Sequence, residues 1–209
     1  LGRYHYAVSR VSEGAREALP VAVRIANVPD EVLDQNSVGE CVPCALSIAT
    51  RAAMVRCGYA DEAPSRMDLY WRTRALEGTT ERDAGALIAD GVAALRKGWL
   101  PEAKWPRDPV WGDRWVQKPP PLPMDAPRVV NAEALPIDVD SIFWECASAA
   151  VVVLGLRIES SWETLTGDTL SDPTGNPIGG HAVAITGGDR SLGCFRIRNS
   201  WSENFGDKG

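Results

Sequence analysis

The chain has 209 residues, of which 44% are apolar, and its 22 basic and 28 acidic residues give a net charge of −6. This length suits one sizeable domain or two small lobes with an ordinary buried core. The charge argues against a nucleic-acid interface or a polybasic membrane patch, and no apolar run reaches the roughly 18 residues of a membrane span. We therefore expect a soluble globular protein without a nucleic-acid partner.

The five cysteines bear on the cellular compartment and on metal binding. Their odd number and wide spacing do not match the disulfide framework of a small secreted domain, which favours a reducing environment. The chain begins at Leu1 without a signal-peptide pattern, so we expect the cytoplasm or a larger assembly rather than secretion. Cys41 and Cys44 form a C-x-x-C pair that suggests zinc or a redox site, but a zinc site needs a second ligand pair. The sequence has none, and we expect no metal and no cofactor.

The first hundred residues predict two strands followed by three helices. Residues 4–11 and, more loosely, residues 21–28 alternate between apolar and polar side chains, as strands do. His5 has no nucleophile or orienting partner in its motif, and we interpret it as a half-exposed strand residue rather than a catalytic base. Ser65 is predicted to cap the second helix. The helices lie at residues 41–57, 65–77 and 86–97, and each is stopped by a glycine, namely Gly58, Gly78 or Gly98.

Beyond residue 98 the pattern changes to loops and then to strands. Residues 99–115 are rich in tryptophan and are interpreted as a loop packed on the core, and the proline-rich residues 118–123 mark a boundary between two lobes. The later elements are an extended segment at 129–130, a short helix capped by Asp140, a buried strand at 150–158, a long loop at 162–180, and a hairpin of strands at 181–186 and 194–199. We therefore predict a single domain, residues 1–209. Its helical lobe would span about residues 25–109, and its β-rich lobe about residues 110–209 together with an N-terminal strand in residues 1–24.

The helix that begins at Cys41 carries the clearest chemical signal. A thiol at a helix N-terminus lies where unpaired backbone N–H groups and the positive end of the helix dipole favour an anion, so we expect the pKa of Cys41 to be lowered. The thiolate is the nucleophilic form of cysteine. Gln35, six residues upstream, can bring its side-chain amide beside the Cys41 N–H, and two such donors form an oxyanion hole. On the helix alone, the simpler interpretation is that Cys41 packs as a small buried residue.

The second histidine of the chain lies on the predicted hairpin. His181 begins one strand and Asn199 ends the neighbouring one, so the imidazole and the carboxamide can meet. We expect the Asn199 oxygen to accept the Nδ1 proton and to leave Nε2 facing the nucleophile, as the base and the orienting group of a triad. The alternatives are a buried core histidine and a turn asparagine.

Four motifs follow one another along the chain. They are Gln35 with GEC at residues 39–41, RDAGALIADGVAALRKGWLPEAKWP at 82–106, GGHAVAITG at 179–187 and RNSWSENFGDKG at 198–209. Together they resemble the papain-like cysteine peptidases of bacterial and archaeal type, over nearly all of the chain. The resemblance implies an α+β papain-like two-lobe fold, with a helical N-terminal lobe, an antiparallel β-barrel-like C-terminal lobe and an active-site cleft between them.

The resemblance also implies roles for individual residues. Cys41 would be the nucleophile, His181 the general base and acid, and Asn199 its orienting partner. Gln35 would share the oxyanion hole with the Cys41 N–H, and Trp201 would shield the His181–Asn199 hydrogen bond from water. The residues that would bind the substrate are Gly39, Asp83, Ala84, Gly85, Ala86, Gly180 and Trp201.

The chain departs from the family pattern at four positions. Val42 replaces the usual tryptophan, and Val38 replaces a cysteine, which removes one family disulfide. Ser202 and Phe205 replace a glycine and a tryptophan. None of these changes removes a catalytic group, but they alter the expected walls of the cleft.

Three hypotheses remain open at this point. The first is a thiol endopeptidase that hydrolyses a polypeptide substrate through a thioester. The second keeps the triad but transfers the acyl group to an amine. The third is a papain-like scaffold or binding domain of a larger assembly, in contact with other domains or chains and with little or no turnover. The family departures motivate the third hypothesis, whereas the intact set of Gln35, Cys41, His181 and Asn199 argues against it.

Overall fold

The structure is a computed structural model, and it describes residues 19–107, 114–165, 167–170 and 174–209. The strand predicted at residues 4–11, including His5, lies outside these ranges. The N-terminal strand predicted within residues 1–24 is described only from residue 19 onward, and residues 108–113 of the tryptophan-rich segment are also outside.

Four α-helices are present in the described residues: α1 (Cys41–Arg56), α2 (Arg66–Glu77), α3 (Ile88–Lys97) and α4 (Val139–Ala147). Short 3₁₀ turns occupy Arg114–Val116 and Ser160–Trp162. The three helices predicted for the first hundred residues are therefore confirmed. None of the helices in the described ranges is long and apolar enough to cross a membrane.

Local signals fix both ends of α2. The Ser65 side chain accepts a hydrogen bond from the Asp68 N–H at 3.1 Å, which satisfies one of the donors that a helix start leaves unpaired. Gly78 follows the last helical residue in the left-handed conformation, with a φ of 69°, and its N–H donates to the Arg74 carbonyl. Both predictions for α2 are confirmed.

The starts of α3 and α4 differ from the sequence prediction. α3 begins two residues late, because Leu87 is extended, with φ of −90° and ψ of 138°. α4 is capped by Asp138 and not by Asp140, so that prediction is wrong. The Asp138 backbone is extended, and its carboxylate accepts hydrogen bonds from the Ser141 N–H at 2.9 Å and from the Ser141 hydroxyl at 2.7 Å. Asp140 already lies inside the first turn, where its side chain is no longer in a capping position.

Four antiparallel strands form one sheet: β1 (Ala22–Arg24), β2 (Val152–Glu159), β3 (Pro177–Asp189) and β4 (Cys194–Arg198). The long strand β3 pairs with all three others, with β4 along one edge and with β2 and then β1 along the other. The α+β class is confirmed. The predicted barrel-like closure is wrong for the described strands, because β2 and β4 lie on opposite sides of β3 and do not pair with each other.

Two details of the β-rich half also differ from the prediction. β2 was expected to be a buried strand, but Ile158 is its only fully buried residue, because β2 lies at the edge of the open sheet. Residues 129–130 belong to no strand, and Val130 is exposed. The helices α1 to α3 precede residue 98 and the strands β2 to β4 follow residue 151, as the two-lobe prediction requires. The lobe boundaries stay a prediction.

The packing of α1 across β3 positions the candidate site. One continuous core cluster combines Cys44, Ala45, Leu46 and Ile48 of α1 with Ala94 and Leu95 of α3, with Trp99, and with Ala182 and Ala184 of β3. Trp99 is 1% exposed, so the predicted packing role is confirmed for this tryptophan. Because Cys41 begins α1 and Ala182 directly follows His181, this contact brings the start of the helix beside the histidine strand.

Candidate active site

Cys41 is the first residue of α1, and its thiol lies against β3. Burial has the largest effect on this thiol and raises its pKa above the ordinary value. Backbone N–H groups oppose the rise, first among them the N–H of Ala182 on β3. The lowered pKa expected from the sequence is therefore wrong for the resting site, because the neighbouring strand covers a sulfur that an isolated helix N-terminus would leave in water.

His181 and Asn199 are joined by a hydrogen bond inside the protein. The distance from His181 Nε2 to Asn199 Oδ1 is 2.7 Å, and the two side chains are 6% and 1% exposed. The hairpin places them as expected, since His181 lies on β3 and Asn199 follows the last residue of β4. The expected ring nitrogen is wrong, however, because Nε2 and not Nδ1 faces the carboxamide. Nδ1 is thus the nitrogen available to accept a proton.

The Asn199 oxygen is held in place, which settles the tautomer of the imidazole. Asn199 Oδ1 also accepts the Ser200 N–H at 2.8 Å, so the oxygen and not the amide nitrogen points at His181. An acceptor oxygen requires the proton on Nε2 and leaves Nδ1 as a base. Burial lowers the pKa of His181, and the bond to Asn199 acts against that shift. The neutral, base-competent imidazole is therefore favoured at neutral pH.

Aromatic side chains surround this pair. The Trp201 ring centroid lies 4.7 Å from that of His181, and the Trp162 centroid lies 6.4 Å from it on an edge-to-face contact. Phe205 packs edge-on against Trp201 at 5.0 Å. These rings exclude water, and a hydrogen bond is stronger in such a low dielectric. Sequence reasoning missed Trp162, because it begins the segment that was assigned to a surface loop.

Gln35 is held by hydrogen bonds of its backbone and its side chain, two of them to Ser200. The Gln35 N–H donates to the Ser200 carbonyl at 2.9 Å, and Gln35 Oε1 accepts the Ser200 hydroxyl at 2.6 Å. Gln35 Nε2 donates one hydrogen to the Val38 carbonyl at 2.9 Å, so the second hydrogen of this amide has a defined direction. Sequence reasoning missed Ser200, although it stands inside the NSW motif between two residues that were assigned roles.

Comparisons with known proteins point in one direction. No family model matches the chain. It is 26% identical over 206 residues to an uncharacterized peptidase C1-like protein, L477, of Acanthamoeba polyphaga mimivirus, over 89% of this chain and 65% of the relative. It matches xylellain, a cysteine protease from Xylella fastidiosa, with a TM-score of 0.86 and 28% identity over 98% of this chain and 83% of that one. It matches procathepsin B S9 from Trypanosoma congolense in fold, with a TM-score of 0.76 and 15% identity over 99% and 76% of the two chains.

The chain has a papain-like fold. Its helices and antiparallel sheet superpose on those of xylellain almost throughout, as the motifs in its sequence predict. The chain spans 65% of the length of the mimiviral relative.

Hydrogen bonds tie the loop that precedes Cys41 to the segment after α2. The Asp83 carboxylate accepts the Gly39 N–H, at 3.0 Å to each oxygen, and also accepts the Tyr70 hydroxyl. The Tyr70 oxygen accepts the Gly85 N–H at 3.1 Å. A Cβ at residue 39 would lie 2.8 Å from Asp83 Oδ1 and 3.2 Å from the Gly85 Cα, so a side chain is excluded there. These bonds secure the loop that precedes Cys41.

The other residues predicted to bind substrate lie around this loop and on β3. Ala84 is exposed, and Ala86 packs against the core cluster of α1 and α3. Gly180 is exposed on β3 directly before His181, opposite Arg157 of β2. Their role in binding a substrate stays a prediction.

The remaining thiols have different environments from Cys41. Cys44 is fully buried, lies 3.6 Å from Arg66 Nη1, and has a pKa that burial raises far above the ordinary range. Burial also raises the pKa of Cys146, to about 11. Cys57 and Cys194 are exposed, and all five cysteines are unpaired. In the described ranges, no group of three or more histidine, cysteine or acidic side chains is placed to hold a metal ion.

Proposed function

We propose that the chain is a cysteine peptidase that hydrolyses peptide bonds through a thioester, with Cys41, His181, Asn199 and Gln35 as its catalytic residues. The observation that carries this proposal is the buried 2.7 Å bond between His181 Nε2 and Asn199 Oδ1, on the strand against which the Cys41 thiol packs. A histidine that only filled the core would not require this aromatic cover, nor a cysteine at the start of the facing helix. The names of the mimiviral relative and of xylellain agree with it.

Acylation uses the nitrogen that Asn199 leaves unoccupied. The Cys41 thiol proton passes to Nδ1 of His181, and the sulfur attacks the carbonyl carbon of the peptide bond. The negative oxygen that forms is stabilised by the Cys41 N–H and by the second Nε2 hydrogen of Gln35. Collapse of this intermediate breaks the C–N bond, the amine leaves with the proton from His181, and a thioester remains on Cys41.

Deacylation repeats these steps with water. Nδ1 of His181 takes a proton from the water as its oxygen attacks the thioester carbonyl carbon, and the same two donors stabilise the second oxyanion. Collapse releases the carboxylic acid and returns the proton to the sulfur. Asn199 keeps the ring oriented throughout both steps, because its oxygen is fixed by the Ser200 N–H.

The polypeptide substrate is proposed to lie extended along residues 83–86, on the side where the nucleophile loop is anchored. Exposed backbone in this segment offers hydrogen bonds to an extended chain. Gly39, Gly180 and Trp201 border the reacting groups and complete the proposed contact surface.

The Ser200→Ala variant is expected to lower kcat by about fivefold with little change in KM. The Ser200 hydroxyl orients the Gln35 amide, and loss of one such bond weakens the oxyanion donor by roughly 1 kcal/mol. Ser141→Ala is the matched control, because Ser141 is also buried and its hydroxyl bonds Asp138 at 2.7 Å on α4, away from the site. Steady-state kinetics of both variants test the assignment, and equal kcat values in the two would contradict it.

A random peptide library incubated with the protein tests the function itself. We expect new carboxyl termini to form at defined sequences, and mass spectrometry of the fragments gives the side-chain preference. Adding a primary amine in excess separates hydrolysis from acyl transfer, because a transferase would give amide products instead of free acids. A folded protein that cleaves nothing in the library would favour a binding scaffold.

A further inference from the structure

The residue directly before the nucleophile is a fully buried acid. Glu40 is 0% exposed and caps the start of α1 with its backbone, while its side chain points to two arginines. Glu40 Oε1 accepts a hydrogen bond from Arg107 Nε at 2.5 Å and lies 3.4 Å from Arg66 Nη1. The arginine side chains are 12% and 13% exposed. A buried carboxylate persists only where charges of this kind compensate its lost hydration.

Both arginines also hold the loop that carries Gln35. Arg107 Nη2 donates to the Gln35 carbonyl at 2.9 Å, and Arg66 Nη1 donates to the Asp34 carbonyl at 3.3 Å. The Arg107 guanidinium thus bridges the Gln35 carbonyl and the Glu40 carboxylate. Gln35 carries one oxyanion donor, and Glu40 directly precedes the other donor, the Cys41 N–H. Charge-assisted bonds in a buried site are short and directional, so this bridge fixes the separation of the two donors.

A second acid holds the arginines themselves. Glu102 Oε1 accepts a hydrogen bond from the backbone N–H of Arg107 at 2.5 Å, and Glu102 Oε2 accepts one from the backbone N–H of Arg66 at 3.0 Å. The cluster of Glu40, Arg66, Arg107 and Glu102 therefore links the loop before α1 to the start of α2 and to residues 102–107. The separation of the donors then depends on contacts with residues that lie far from Gln35 and Cys41 in the sequence.

We propose that Glu40 and Arg107 are positioning residues, which set the distance between the Gln35 amide and the Cys41 N–H in the oxyanion hole. The inference rests on the proposed function, because an oxyanion hole matters only where an acyl group is attacked. It adds to that function a device that joins Glu40 of the GEC motif to Arg107, which lies outside the four motifs. A displacement of one donor by a fraction of an ångström weakens transition-state stabilisation without changing how the substrate binds.

Arg107→Lys is the variant of choice. Lysine keeps the positive charge but lacks the fork that reaches a carboxylate and a carbonyl together. Arg72→Lys is its matched control, because Arg72 Nε bonds the fully buried Asp68 at 2.7 Å and its Nη2 bonds the Pro120 carbonyl at 2.7 Å. The control loses the same kind of bridge in the same half of the molecule, but not at the nucleophile loop.

The assays are run at pH 8.5, since burial raises the pKa of Glu40 to about 7 against the opposing effect of the two arginines. Glu40 is then largely ionised in the wild-type protein. We expect Arg107→Lys to lower kcat by about tenfold with KM within about twofold, and Arg72→Lys to change kcat by less than about twofold. Alkylation of Cys41 by iodoacetamide forms no oxyanion, so its rate should stay within about twofold in both variants.

Three results would overturn the inference. The first is a kcat for Arg107→Lys that is no lower than that of the control. The second is an effect of Arg107→Lys on KM alone. The third is a fall in the alkylation rate that parallels the fall in kcat, because it would place the effect on the Cys41 thiol. If Arg107→Lys does not fold, Glu40→Gln replaces it, since glutamine keeps the volume and one acceptor oxygen while losing the charge. We expect Glu40→Gln to show the same loss in kcat without a change in KM, and an unchanged kcat would overturn the proposal.

An inactive wild-type protein would end the proposed function but still leave the positioning testable. Hydrogen exchange of the amides in residues 34–41 should then be faster in Arg107→Lys than in Arg72→Lys. Equal exchange in the two variants would show that the bridge does not hold the loop.

Discussion

Replacing Cys41 with alanine is expected to reduce peptide turnover by about 10⁵-fold while the protein stays folded. In the proposed mechanism the sulfur forms the thioester, and removal of a catalytic nucleophile costs an enzyme nearly all of the rate that its triad supplies. The side chain is only partly buried at the first position of α1, so alanine leaves the helix and its core contacts intact. Steady-state hydrolysis of the best library peptide, with thermal unfolding of the same sample, measures both effects.

Cys44→Ala is the control for this variant. Cys44 lies one turn further along the same helix, is fully buried and contacts Arg66 rather than the reacting groups. We expect its turnover to stay within about threefold of wild type, with a lower melting temperature from the lost packing. Residual turnover above about a tenth of wild type in Cys41→Ala would contradict the role of Cys41 as the nucleophile.

Local chemistry explains why the helical half was predictable. The first turn of α1 tolerates Pro43 because a proline there lacks only an N–H that would have no partner within the helix. Ser65 and Gly78 act through their own side chain and backbone at the ends of α2. Such signals depend on residues within one turn of each other, and a sequence displays them directly. Asp138 and Asp140 mark the limit, since both lie at the start of the same helix and only the backbone geometry decides which one caps it.

The pairing of His181 with Asn199 was predictable for a related reason. His181 lies within β3 and Asn199 directly follows β4, and antiparallel pairing of these two strands brings the residues close together. The ring nitrogen that faces Asn199 was not predictable, because it depends on the side-chain torsion that the aromatic neighbours Trp162 and Trp201 select. The prediction of the pair therefore succeeded where it used topology and failed where it needed packing.

Long-range contacts account for the features that sequence reasoning missed. Ser200 bonds Gln35 across 165 residues, and Arg107 reaches Glu40 across 67 residues. Neither pair has a spacing that indicates contact. The direction of the Cys41 pKa shift was missed for the same reason, because the helix alone favours the thiolate and only the packing of β3 against the sulfur buries it.

Iodoacetamide at about pH 6.5, the reference pKa of histidine, is expected to label Cys41 ahead of Cys57 and Cys194, although both of those thiols are exposed. Burial raises the pKa of Cys41 and lowers that of His181, so the resting pair is a thiol beside a neutral imidazole. Alkylation therefore needs transfer of the thiol proton to Nδ1 of His181. A positioned base of this kind accelerates such a step by about 10²-fold or more.

The sign of the pH dependence follows from the same two shifts. His181 accepts a proton only above its own pKa, which burial places below the reference value, so the Cys41 rate should rise as the pH increases from about 5 toward 6.5. A second rise should come only at alkaline pH, above the ordinary range of a thiol, because burial raises the pKa of Cys41. Cys44 should remain unlabelled over this range, because burial raises its pKa much further and no part of it is exposed.

The His181→Ala variant gives the decisive comparison. Without the base, Cys41 keeps its partial burial and its raised pKa, so it should fall from the fastest thiol to one slower than Cys57 and Cys194, which serve as internal references in the same sample. Quantitative mass spectrometry of the labelled peptides yields all the rates from one time course. Unchanged rates of the two references show equal exposure to reagent, and the absence of label on the buried Cys44 shows that the variant is folded. If Cys41 is slower than the references in the wild type, or keeps its rate in His181→Ala, then His181 is not the base and the chemistry assigned to Nδ1 is wrong.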